Sequence, residues 1–168
     1  MNELPDIWRT ELWHPVSVHF PIVLLLGAGL LSVLRHFAGS KHARFIHKMS
    51  GVFLYTGSVT IWISIYTGTL ADSIVTRDLC DPTILEAHEN AAFTLGYLFT
   101  AASLIDLIDF IPSEQFKKLK HPLKGWLVTL LLVGGGFYLM YTAHLGARLV
   151  YQQGAAVYQP TENCREFE

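Results

Sequence analysis

Apolar residues run along this chain in four long blocks separated by short polar segments. Residues 16–34 contain no Lys, Arg, Asp or Glu, and neither do residues 50–71, 91–105 and 125–145. A helix needs roughly 20 such residues to cross a hydrocarbon core of about 30 Å. The first, second and fourth blocks meet that length. The third reaches it by taking in His88, Glu89 and Asn90 at one end and Asp106 at the other. The pattern predicts an all-α chain in which one integral-membrane domain over residues 1–168 forms a four-transmembrane-helix up-down bundle. The expected helices cover about 15–35, 49–71, 87–108 and 124–151.

Composition agrees. Of 168 residues, 51% are hydrophobic and only 15% charged, against about 25% charged in an average globular chain. No separate soluble domain, low-complexity tract or strong internal repeat stands out, and nothing suggests a nucleic-acid surface. The flank NELPDIWRTELW is acidic and no small-x-small site follows the first block, so that block reads as a span and not as a cleaved signal peptide.

Charge between the blocks sets an expected orientation. RHFAGSKHARFIHK (35–48) and EQFKKLKHPLK (114–124) are basic. The segment DSIVTRDLCDPTILEAHE (72–89) and both ends of the chain are acidic. Lys and Arg favour the cytoplasmic side, so both termini and the middle segment are expected outside. That alternation requires an even number of crossings, as four blocks do. Cys80 and Cys164 both fall on the expected outer side. In an oxidising compartment such a pair reads as a disulfide, and two unrelated thiols are the alternative.

Four histidines change the picture: His14, His19, His88 and His144 sit where the blocks meet that outer side. Ionisable groups at the edge of a bilayer core are costly and usually functional. Neutral imidazole is also the commonest metal ligand and a haem ligand. Pro15 suits a first helical turn, whereas Pro21 cannot donate to the Ser17 carbonyl and should distort the helix. In a straight helix His14 and His19 point about 140° apart, so they share one ligand only if that distortion redirects one of them. Helices 1 and 3 of an up-down bundle are diagonal. The expected pair is therefore His19 with His88, with His14 and His144 as a second pair or as supporting partners.

Several features carry both a structural and a functional reading. Arg148, one turn after His144, could meet a haem propionate or anchor at the headgroups. Gly134, Gly135 and Gly136 permit close approach of a helix or of a flat macrocycle. Tyr55, Trp62 and Tyr66 read as interface and core aromatics. Glu86 and Glu89 suit a helix N-terminus electrostatically. Asp106 and Asp109 read as partners of the basic segments. His36, His42, His47 and His121 read as solvated loop residues, and a second haem at that end is the sharper alternative.

HPVSVHFPI (14–22), AHEN (87–90) and HLGARLVYQQGAAV (144–157) carry a resemblance. Together they resemble a family of small bacterial four-helix membrane proteins, the domain of unknown function 2231. The family pattern maps onto His14, Pro15, His19, Phe20 and Pro21, then Gly68, then His88 and Asn90, then Gly146, Leu149, Val150, Tyr151 and Gly154. Ala147 stands where the family often has a second glycine. Relatives are often fused to, or encoded near, Rieske-type or c-type cytochrome modules. The resemblance therefore implies redox work at the outer face of a bacterial inner membrane.

Three functions follow as expectations. The first is a b-type cytochrome-like electron-transfer subunit. It would hold one haem b, or two, through His14, His19, His88 and His144, with Arg148 at the cofactor. Its partners would be the lipid bilayer, a quinol donor and a periplasmic cytochrome c or other redox protein. The second is a non-haem iron or copper site built from the same histidines with Glu86 or Glu89. The third is a structural or assembly subunit of a larger respiratory or photosynthetic membrane complex. No acid, base and nucleophile set suggests a stand-alone enzyme.

Overall fold

The structure, a computed structural model, describes residues 8–108 and 122–157. It is all-α. A 3-10 turn at Thr10–Leu12 leads into α1 (Trp13–Ser17) and α2 (His19–Leu34). These are followed by α3 (Ser40–Val75), α4 (Thr83–Leu107) and α5 (Pro122–Gln153). Four stretches are long and apolar enough to cross a membrane: Thr10–Leu34, Ser40–Val75, Thr83–Leu107 and Lys124–Gln153.

The first span is perturbed only slightly where the sequence predicts distortion, with Val18 still helical at φ −64° and ψ −22°. Val18 separates α1 from α2. Its N–H reaches the His14 carbonyl and its carbonyl accepts from Ile22, but Pro21 has no N–H to offer Ser17. The second span begins at Ser40, well before the expected residue 49. The basic segment after Gly39 is therefore helical and not a loop. Ala, Arg and Lys are good helix formers, and no Gly or Pro interrupts residues 40–50.

Helix α2 packs on α3 and α5, and α4 packs on the same two, so α2 and α4 are diagonal. The core is built from Leu25 of α2, Leu54 of α3, Leu95 and Phe99 of α4, and Leu132 of α5. A Cβ on Gly135 would lie 2.8 Å from the Phe99 ring. Of the two roles open to the glycine triplet, helix packing accounts for this one.

Polar side chains fasten the seams. Across α3 and α4, Trp62 donates to Thr100 at 2.9 Å, Ser58 bonds Ser103 at 2.8 Å, and Tyr55 donates to the buried Asp106 carboxylate at 2.7 Å. Tyr66 faces outward. Such interhelical bonds matter in a span because no water replaces them. Asp109, His121 and Cys164 lie outside the described residues.

Candidate functional site

Two of the four candidate histidines come together. His14 stands on α1 and His88 on the second turn of α4, so the two come from the diagonal first and third spans of the up-down order. Their ring centroids are 6.1 Å apart and their planes cross at 81°. Each ring leans on the helix beside it. His14 Nδ1 lies 2.9 Å from the Ser64 carbonyl of α3, and His88 Nδ1 lies 3.0 Å from the Thr142 carbonyl of α5. A carbonyl only accepts, so each Nδ1 carries the hydrogen and donates it. In the neutral imidazole this leaves Nε2 with a lone pair.

The surroundings repeat with the same symmetry. Gly68 follows Ser64 by one helical turn, and Gly146 follows Thr142 by one turn. A Cβ on Gly68 would come within 3.1 Å of the His14 ring, and one on Gly146 within 3.1 Å of the His88 ring. The half-sites are thus His14 with Ser64 and Gly68, 50 residues from histidine to carbonyl, and His88 with Thr142 and Gly146, 54 residues apart. This is a repeated local arrangement that hydropathy does not reveal. Its trace in the sequence is a Ser/Thr-x-x-x-Gly step, SIYTG at 64–68 and TAHLG at 142–146.

Local bonds hold α1 in place. The Ser17 hydroxyl donates to the His14 carbonyl at 3.0 Å and lies 2.9 Å from the Thr67 hydroxyl. At the far side Gly154 takes a positive φ of 67°. It ends α5, with the Gly154 N–H on the Val150 carbonyl and the Ala155 N–H on the Leu149 carbonyl. That turn carries Ala155 and Ala156 back over the histidines.

His14 and His88 line one cavity, with Glu11, Asp72 and Glu89 as its acidic members. Glu11 is buried and paired with Arg9, whose Nε donates at 2.7 Å. The composition of the N-terminal flank gives no hint that Glu11 turns inward.

The remaining candidates lie elsewhere. His19 and His144 are exposed on the outside of the bundle, and neither lines the cavity. The pair formed with His88 is therefore His14, not the expected His19. His14 faces inward and His19 outward, as residues five apart on a nearly regular helix do. Arg148 donates to Gln152 within its own helix at 3.0 Å and is not part of the cavity wall. Glu86 is exposed, whereas Glu89 lines the cavity. Among the described residues no group of three or more His, Cys, Asp or Glu converges closely enough to hold a metal ion. Cys80 is exposed, and its expected partner Cys164 lies outside the described residues.

At the opposite end, two other histidines are engaged differently. Arg35 Nη1 donates to His47 Nδ1 at 2.7 Å, and Arg35 Nη2 donates to the Gly125 carbonyl at 2.5 Å. His36 stacks on Trp126 at 3.8 Å, with its Nε2 3.0 Å from the Thr129 hydroxyl. Burial, and then the Arg35 charge beside it, hold the His36 pKa below the usual imidazole range. His42 is exposed.

The architecture and the crossed pair together define a four-helix membrane protein with one histidine pair held between two hairpins. The chain belongs to the family described as predicted membrane protein (DUF2231), whose family model matches residues 12–159. No curated protein and no solved structure matches it.

Proposed function

We propose that this protein is a membrane-embedded, b-type cytochrome-like electron-transfer subunit, in which His14 and His88 would hold one haem. The observation that carries this reading is the crossed imidazole pair. Metal–imidazole bonds are about 2.0 Å, so two imidazoles trans on one metal have centroids roughly 6 Å apart. The observed separation is 6.1 Å. Both Nδ1–H groups are spent on backbone carbonyls, the usual way a ligating histidine is oriented and its basicity raised.

The donor count favours haem over a bare ion. Haem brings four nitrogen donors of its own and asks the protein for two. A non-haem iron, copper or zinc site asks for three or four protein ligands. Bound haem iron would supply one-electron oxidation and reduction. The chain's part is to orient the two rings, to line their cavity with Gly68 and Gly146, and to close it with Ala155 and Ala156.

The basic segments favour the cytoplasmic side of a bacterial inner membrane. The histidine end and both termini would then be periplasmic. A quinol in the bilayer would serve as electron donor, and a periplasmic cytochrome c or other redox protein as acceptor, within a larger membrane complex. Arg148 and the exposed His19 and His144 have no part in this single-haem scheme.

The test is the visible spectrum of the purified protein with a haem-to-protein ratio. A Soret band, and an α-band sharpening on reduction, are expected for the wild type and for H19A. Both should vanish in H14A and H88A. Iron or copper without haem would favour a non-haem site completed by Glu89. Neither metal nor haem would leave the histidine pair as a clasp between hairpins in an assembly subunit.

A further inference from the structure

We infer that Gly68 and Gly146 are positioning residues that hold the two imidazole planes crossed, and that the crossing fixes the electronic state of the bound iron. This rests on the haem reading above. Each ring is set by two contacts on one helix. Its Nδ1–H points at a carbonyl, Ser64 or Thr142, and its edge lies against the glycine one turn further on.

The glycine contacts are tight. A Cβ at Gly68 would sit 3.1 Å from both Nδ1 and Cε1 of His14. A Cβ at Gly146 would sit 3.1 Å from His88 Cε1 and 3.5 Å from its Nδ1. A Cβ at either place requires the ring beside it to give by a few tenths of an ångström. Glycine is unfavourable inside a helix, so two of them at matching places have a reason, and the rings supply it. Gly134 has open space around it, with nothing within 4 Å of its Cβ position.

The seats lie on diagonal helices and deliver planes crossed at 81°. Each imidazole's π orbital lies perpendicular to its ring and overlaps one of the two dπ orbitals of the iron. Parallel rings raise the same orbital and split the pair. Crossed rings raise one each and leave the pair nearly degenerate. In ferric low-spin haem a split pair gives a rhombic three-line EPR spectrum. Near-degeneracy gives a single, strongly anisotropic low-field line. Axial-ligand geometry is one of the protein's levers on a haem.

The experiment is low-temperature EPR of the oxidised full-length protein in detergent, beside its optical spectrum. The wild type should show the single low-field line. G68A and G146A should move toward the rhombic pattern or lose haem while keeping their helical circular dichroism. G134A, the control for losing a helical glycine, should match the wild type. A Soret band with a rhombic wild-type spectrum would overturn the inference, as would G68A and G146A spectra identical to the wild type. If both variants fail to fold, the wild-type line alone decides. Absence of any Soret band overturns the haem reading itself, so the two failures are distinguishable.

Discussion

Both ends of the bundle hold two partly buried histidines, and the two sets are bonded differently. At the cavity end His14 and His88 each give up one hydrogen to a carbonyl, meet edge to face and line one cavity. At the basic end His47 receives a hydrogen from Arg35, and His36 has its Nε2 on Thr129 and its face on Trp126. The difference teaches how to separate a candidate ligand from a fastening. What matters is which nitrogen is committed, to what, and whether the ring lines a cavity. Proximity of two imidazoles is not enough.

That contrast is broken most directly by exchanging the roles. H14A or H88A should abolish haem binding, whereas H36A and H47A should retain the wild-type haem-to-protein ratio. Loss of haem in H47A with retention in H88A would reverse the comparison. Removing Arg35 should act on stability alone. R35Q loses charge-assisted bonds to His47 and the Gly125 carbonyl, each of order 1.5–3 kcal/mol. A clear fall in Tm with an unchanged Soret band is expected in thermal melts in detergent.

A smaller effect should appear with pH. The folded pKa of His36 is lowered, so folding favours its neutral form. The unfolded chain takes up that proton near the ordinary value of about 6.5. The contribution is present above that value and is lost as pH falls toward the lower folded one. Between about pH 7.5 and pH 5.5 the wild type should therefore lose slightly more thermal stability than H36N, this being the only group on which the comparison depends. Equal losses would remove His36 from the fastening. The smallest effect is expected on the outer surface, where H144A should leave both the haem content and the melting curve close to wild type.

Much of this was readable in advance, for physical reasons that differ by feature. The four spans follow from charge-free runs, because a bilayer core tolerates few unpaired ions. The start of α3 does not, because hydropathy fades at residues 40–48 while the helix continues. His88 is legible, since a histidine is an odd choice beside Glu86 and Glu89 at a helix start. The choice between His14 and His19 is not. Pro21 announces a distortion, but which of the two faces the bundle depends on how the span is rotated against α3, where Ser17 meets Thr67. Glu11 is hidden for the same kind of reason: its burial depends on a 3-10 turn and on Arg9 two residues away. Gly68 and Gly146 are visible as letters and motif positions, yet only the rings beside them give them a purpose.

The length of α3 has a mechanical consequence. At about 1.5 Å per residue, its 36 residues reach roughly 54 Å, well past the hydrocarbon thickness of about 30 Å. Lys41, Arg44 and Lys48 are exposed along one stripe of its first turns. Those cations ride on a stiff rod continuous with the segment that seats His14. Headgroup phosphates gripping one extremity of that rod would hold the seat at the other extremity to a set depth in the bilayer, like a float fixed to its keel.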